Sequence, residues 1–278
     1  FFYNLSSNKT KLQIFWVLLG AASIVFHIWL IFSGLVPSLI ARPIHMALAL
    51  PWIFIFASKS KQQLISGVAF TTIGVFSCGY IALNEAVLSD QYGFISGWEQ
   101  FIIASLLILI TLEMARRAIG WPLPIIASFF IIYGLFGQHI PGEFGHAGIP
   151  INSFLGTLII TEGGLWGTLT GVSVSIVAVF VIFGAILNAG EAGKGFMNIA
   201  VAAAGSLKGG AAKVSVLASA LFGSISGSAS ANVASTGMVT LPAMIKLKYP
   251  KRLAASVEAV ASSGGQIMPP LMGAGAFV

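Results

Sequence analysis

Long apolar runs separated by short clusters of charge set the pattern of this chain. Runs at about 12–34, 44–57 with part of the preceding loop, 64–83, 100–115, 121–140 and 167–189 are continuously hydrophobic. Crossing roughly 30 Å of hydrocarbon takes about 20 helical residues, so each run predicts a transmembrane helix. Lys9 and Lys11 precede the first run, as in a signal peptide. No A-x-A site follows it and it is long for an h-region, so a retained span is expected.

The polar positions between the runs fix an orientation. Lys9 and Lys11 come before span one, Lys59 and Lys61 after span two, Arg116 and Arg117 after span four, and Lys194, Lys208 and Lys213 after span six. Even numbers of crossings separate these clusters, which places all of them, and the N-terminus, in the cytoplasm. The opposite loops hold Arg42 alone among basic residues, together with Glu85, Asp90, Glu99, Glu143 and Glu162. Lys246, Lys248, Lys251 and Arg252 form a further cytoplasmic cluster, so the chain between Lys213 and Lys246 crosses an even number of times or not at all. The intervening residues make two arms of about 15 each, marginal for two full spans. A re-entrant hairpin is expected, with "VSVLASALFGSI" entering, "SGSASANV" turning and "ASTGMVTLPAMI" returning.

The hairpin would carry the most polar stretch of the chain, "GSISGSASANVASTG" at 223–237, to mid-membrane depth. Non-helical backbone is tolerated there only where protein buries it or where it lines a watery cavity. Ser224, Ser226, Ser228, Ser230 and Asn232 offer neutral oxygens, and Gly223 and Gly227 allow carbonyls to turn toward an ion. Hard oxygens without a negative side chain suit a monovalent cation such as Na⁺, and broken-helix N-termini suit an anion. Gly223 and Gly227 also form a GxxxG, which at this spacing serves close helix packing. A second interruption, "SSGGQIMPPLMGAG" at 262–275, contains a proline pair that no helix passes unbroken. Ser262, Ser263, Gly264, Gly265 and Gln266 are its polar candidates, and a plain cytoplasmic turn is the alternative. Glu258 lies between the two interruptions, placed either in cytoplasmic water or along a transport path.

Composition agrees with a membrane protein. Of 278 residues, 57% are hydrophobic and 8% charged, and the formal net charge of +6 comes from loop clusters rather than from a nucleic-acid-binding face. Cys78, the single cysteine, excludes a disulfide framework, and His27, His45, His139 and His146 lack metal-site spacing. "GEAGKG" at 190–195 departs from the phosphate-loop pattern and "GSISG" is not a nucleophile elbow, so no enzyme and no organic cofactor is expected. Glu113 and Arg117, four apart, are expected to form a surface ion pair.

The stretch from "ALFGSISGSASANVASTGMVTLPAMIKLKYPKRLAASVEAVASSGGQIMPPLMGAGAFV", with "LEMARRAIGWPLPIIASFFIIYGLFG" and "KGGAAKVSVLASALFGSISGSA", closely resembles the large membrane subunit of the tripartite ATP-independent periplasmic (TRAP) transporters, and within it the fused permeases of the TAXI type. The resemblance implies an all-α integral membrane protein of the bacterial inner (cytoplasmic) membrane. It implies a four-helix, small-subunit-like scaffold over 1–100, its fourth span running to about 117, and over 118–278 the first half of an inverted-repeat elevator transporter. It further implies Na⁺-coupled uptake of small organic anions delivered by a periplasmic substrate-binding protein. The site residues carried over are Ser226, Gly227, Ser228 and Asn232 at the hairpin tip and Ser262, Ser263 and Gly264 before the proline pair, with Na⁺ at Ser226, Ser228 and Asn232. Many large subunits have aspartate where Asn232 stands and serine where Leu271 stands, a difference that follows the TAXI subtype and leaves substrate chemistry open. Phe1 in place of an opening methionine and the end at "GAGAFV" set the expectation of an N-terminal fragment holding one repeat, unable to transport alone. A binding-protein-independent di- or tricarboxylate symporter and a non-transporting membrane scaffold are the alternative functions.

Overall fold

The computed structural model describes residues 8–226 and 229–268, and every regular element among them is helical. The chain forms two compact units, Phe1–Gly171 and Val172–Val278. Five stretches are each long and apolar enough to cross a membrane: Leu12–Phe32, Ser38–Phe56, Lys61–Leu83, Pro122–His139 and Thr168–Leu187.

In the first unit, α1 (Asn8–Phe32) is followed by α2 (Ser38–Pro51), which runs on through a π-helical turn, Trp52–Phe56. Next come α3 (Lys61–Leu83), the short α4 (Glu85–Ser89), α5 (Gly97–Ile119) and α6 (Pro122–Phe136), then α7 (Ile151–Ile159). The start of α3 follows from "SKQQ": the N-cap Ser60 Oγ accepts from Gln63 N at 3.2 Å, while Gln63 Oε1 reaches back to accept from the N–H of Lys59, just before the cap, at 3.0 Å. Gly120, at φ 93°, stops α5, and Pro122 restarts the chain at the first turn of α6. Outward faces stay apolar, as lipid contact requires: Val17 is 70% exposed and Phe129 64%.

Leu50, Phe54, Ile81, Ala104, Leu107, Ile110 and Trp166 lie at the centre of this unit. Trp166 is fully buried and donates from Nε1 to Ile159 O at 2.7 Å, and Arg42 Nη1 donates to the Trp166 carbonyl. Arg117 ties the other end together. Its guanidinium donates to Glu113 Oε1 (2.7 Å), Gln63 O (3.1 Å), Phe54 O (3.3 Å) and Ser66 Oγ (2.8 Å), and lies 4.9 Å above the Phe54 ring. The expected surface ion pair is therefore a half-buried clamp, because the π-helical turn at 52–56 presents a carbonyl that a planar, many-donor cation reaches.

The second unit contains most of the helical run α8 (Thr168–Val172), π-turn Ser173–Val177 and α9 (Ala178–Ala189), then α10 (Ala192–Ala204), α11 (Gly210–Ser226), α12 (Ala229–Lys246) and α13 (Lys251–Gln266). Ala200, Ala204, Val214 and Ala218 join α10 to α11, and α13 packs on both α11 and α12. The two arms of the predicted hairpin are longer than expected, at 17 and 18 residues or about 25 Å each.

Candidate ion and substrate site

Two of the sequence-predicted breaks prove helical where they are described. Asn232 lies inside the first turns of α12, and only residues 227–228 separate α12 from α11. The polar tip expected over "SGSASANV" is thus mostly helix. Likewise Ser262, Ser263 and Gly264 belong to the closing turns of α13, which continues to Gln266. The physical reason is shared: small residues are poor helix formers in isolation, but here they sit where helices cross closely, and packing outweighs propensity.

Gly223 and Gly265 mark that crossing. A Cβ on Gly223 would come within 2.2 Å of Gly265 O, and one on Gly265 within 2.3 Å of Ser219 O and 2.5 Å of Asn232 Nδ2. The packing role of Gly223 foreseen in the GxxxG is realised. Around this contact the three helices turn polar side chains inward. Asn232 is fully buried; its Nδ2 donates to Ser219 O at 2.8 Å, while its Oδ1 has no hydrogen-bond partner among the described residues. Ser262 is also fully buried, with Oγ 3.4 Å from both Ser219 Oγ and Glu258 Oε1.

Glu258 is the hub. It is 1% exposed, which overturns the placement in cytoplasmic water. Ser215 Oγ and Thr240 Oγ1 donate to its Oε2 at 2.7 and 2.5 Å, and Thr236 Oγ1 donates to its Oε1 at 2.5 Å. Ser215 and Ser219, Asn232, Thr236 and Thr240, and Glu258 and Ser262 each repeat at intervals of four, so each helix presents one polar stripe to the others. Ser215, Ser219, Thr236 and Thr240 are absent from the sequence-based candidates, although this four-residue spacing was available to find them, whereas Gly265 stands among those candidates and is found at the helix crossing.

The remaining predicted residues lie elsewhere. Ser263 is exposed and donates back along its own helix to Ala259 O at 2.8 Å. Gly264 is exposed, with open space where a side chain would start. Ser226 ends α11, and Gly227 and Ser228 lie outside the described residues. As a donor set for Na⁺ the buried residues fit: neutral hydroxyls, a buried amide oxygen awaiting a partner, and one carboxylate. In the first unit, His27 and His45 meet across α1 and α2, Nε2 to Nδ1 at 2.8 Å, with no group of three metal-ligating side chains among the described residues.

Comparison with known proteins gives one family. Residues 106–278 match the model described as "Tripartite ATP-independent periplasmic transporter, DctM component". The chain is 30% identical over 151 residues to the isethionate TRAP transporter permease protein DctMQ of Oleidesulfovibrio alaskensis, covering 54% of this chain and 24% of that protein. It is 32% identical over 139 residues to the C4-dicarboxylate TRAP transporter large permease protein DctM of Rhodobacter capsulatus, covering 44% of this chain and 31% of that protein. It is 37% identical over 99 residues to the 2,3-diketo-L-gulonate TRAP transporter large permease protein YiaN of Escherichia coli, covering 35% of this chain and 23% of that protein. The chain thus spans between about a fifth and a third of these relatives. No solved structure matches it.

Proposed function

Because this chain belongs to the DctM-component family of tripartite ATP-independent periplasmic transporters, we propose that it forms part of a permease for Na⁺-coupled uptake of small organic anions across the bacterial inner membrane. The anions named for its relatives, a sulfonate, C4-dicarboxylates and a sugar acid, share a small acidic form, and a carboxylate or similar anion is the proposed cargo. A periplasmic substrate-binding protein delivers it. The family match begins at Leu106, near the proposed boundary at 117/118 between a small-subunit-like scaffold and the carrier, in a fused permease of the TAXI type. The carrier part supplies the first of two inverted repeats, with α11 and α12 as its hairpin, re-entrant from the cytoplasmic side on which the N-terminus also lies.

The single observation that carries the site is Asn232: a fully buried amide oxygen without a partner among the described residues, three residues from the start of α12. Buried polar atoms are nearly always satisfied, so an unpaired acceptor in a permease supports a bound ion. Ser226, Gly227 and Ser228 at the tip and Ser262, Ser263 and Gly264 at the end of α13 complete the proposed surround, with Na⁺ at Ser226, Ser228 and Asn232. The facing repeat of the full-length permease supplies the opposite wall.

The test is uptake of radiolabelled succinate into proteoliposomes holding the full-length permease, with a Na⁺ gradient and the cognate binding protein. Na⁺-dependent uptake that N232A and S226A abolish is the expected result. Unchanged Na⁺-driven uptake in both variants sinks the site assignment, and uptake indifferent to the binding protein favours a stand-alone symporter.

A further inference from the structure

Glu258, Ser262, Ser219 and Thr236 close a ring of oxygens drawn from three helices. Glu258 Oε1 lies 3.4 Å from Ser262 Oγ, which lies 3.4 Å from Ser219 Oγ, which lies 3.4 Å from Thr236 Oγ1, which returns to Glu258 Oε1 at 2.5 Å. None of the four residues is more than 2% exposed.

Three of these spacings are long for hydroxyl hydrogen bonds, which settle at about 2.7–2.8 Å. They match the spacing of oxygens around a hard cation: ligands at about 2.4 Å on neighbouring corners of an octahedron stand about 3.4 Å apart. Charge points the same way. Glu258 makes no ion pair among the described residues, and Lys213, Lys246, Lys251 and Arg252, the basic residues of α11, α12 and α13, are all exposed. A buried carboxylate left without a counter-charge is costly, and the ring places neutral oxygens around the side where a counter-ion would sit. Its other oxygen, Oε2, is already held by Ser215 and Thr240, which leaves Oε1 for the ring.

We propose that this ring is a binding site for one monovalent hard cation of the size of Na⁺, with Glu258 as its anionic ligand. One carboxylate balances one positive charge, whereas a divalent ion calls for more. The site goes beyond the tip reading above, shares only Ser262 with it, and adds Glu258, Ser219 and Thr236. Asn232 connects the two, since it donates to the Ser219 carbonyl and stands one turn before Thr236.

The test needs neither substrate nor binding protein. Thermal unfolding of the detergent-purified full-length permease is followed as NaCl replaces choline chloride at constant ionic strength; a cation bound by the folded state raises the midpoint with concentration. E258Q, equal in size, is expected to need at least tenfold more NaCl for half the shift, while S256A, at an exposed position of the same helix, matches the parent. S219A, which keeps the Ser215 and Thr240 bonds to the carboxylate, is the second variant should E258Q fail to fold, and the same loss is expected. An unaltered NaCl titration in E258Q or S219A, or a midpoint that responds to pH and not to NaCl, overturns the proposal. If uptake proves independent of Na⁺ while E258Q still abolishes the NaCl shift, the coupling reading falls and the ring stands.

Discussion

Thr236 Oγ1 stands 2.5 Å from Glu258 Oε1 and 2.8 Å from the Asn232 carbonyl oxygen, so a single hydroxyl hydrogen faces two acceptors. Thr240 repeats the arrangement one turn on, between Glu258 Oε2 at 2.5 Å and Thr236 O at 3.0 Å. A backbone carbonyl inside a helix already receives one bond and tolerates losing the hydroxyl, whereas the carboxylate depends on it.

T236V preserves the shape of the side chain and deletes this donor. The expected cost is about 1–3 kcal/mol, the range for leaving a buried charged acceptor short of a bond. T236S, which keeps the hydroxyl, loses less. Thermal unfolding of the two variants in detergent checks the order, and equal midpoints for T236V and the parent contradict it.

Neighbouring glycines at the end of α13 differ in what surrounds them. G265A forces a methyl against Ser219 O and Asn232 Nδ2 and is expected to lower stability by about 2 kcal/mol or more through separation of α11 and α13. G264A meets nothing within 4 Å and is expected to leave the unfolding midpoint unchanged or slightly raised. The pair is read in one melting experiment, and a G264A loss as large as that of G265A would count against the crossing.

Arg117 joins three segments through a planar fork that lysine lacks. R117K keeps the charge but cannot reach Phe54 O, Gln63 O, Ser66 Oγ and Glu113 together, so about 2 kcal/mol of stability is expected to go, with R117A losing more. Melting of R117K and R117A against the parent decides it; a lysine variant as stable as the parent would reduce the clamp to a surface charge.

Ser262 and Ser256 share α13 and differ in surroundings, the first buried and the second exposed with its Oγ donating back to Arg252 O at 2.9 Å. S262A removes a buried oxygen from the proposed site and is expected to cut Na⁺-driven uptake by the full-length permease at least tenfold, whereas S256A stays within twofold. Equal uptake in the two variants would dissociate the α13 stripe from transport.

Much of the helical frame is legible in hydropathy. The run predicted over 64–83 is α3 at Lys61–Leu83, and that over 121–140 is α6 with its short extension to His139. These signals survive because lipid imposes the same demand on every exposed position. The site was legible in residue type and less so in backbone. "SGSASANV" and "SSGG" read as breaks, since serine, asparagine and glycine favour turns when nothing else acts on them. Where they are described, these residues are helical, close to the crossing of α11 and α13 at Gly223 and Gly265. Glu258 was ambiguous for a different reason: a lone carboxylate between apolar residues says nothing of its depth until Ser215, Thr236 and Thr240 arrive from other helices.

The π-helical turn at Trp52–Phe56 makes chain length itself a specified property of this corner. A widened turn holds one residue more than the α-helix would, and Gly67 presses against the Phe54 carbonyl that the turn displays. Deleting any one residue between 52 and 56 would tighten the turn to the α-helical ladder and draw the Phe54 carbonyl away from its present place ahead of Ser60, the N-cap of α3. Substitutions there change a side chain; a one-residue deletion changes which carbonyl the Arg117 guanidinium meets, and the corner should tolerate the first far better than the second.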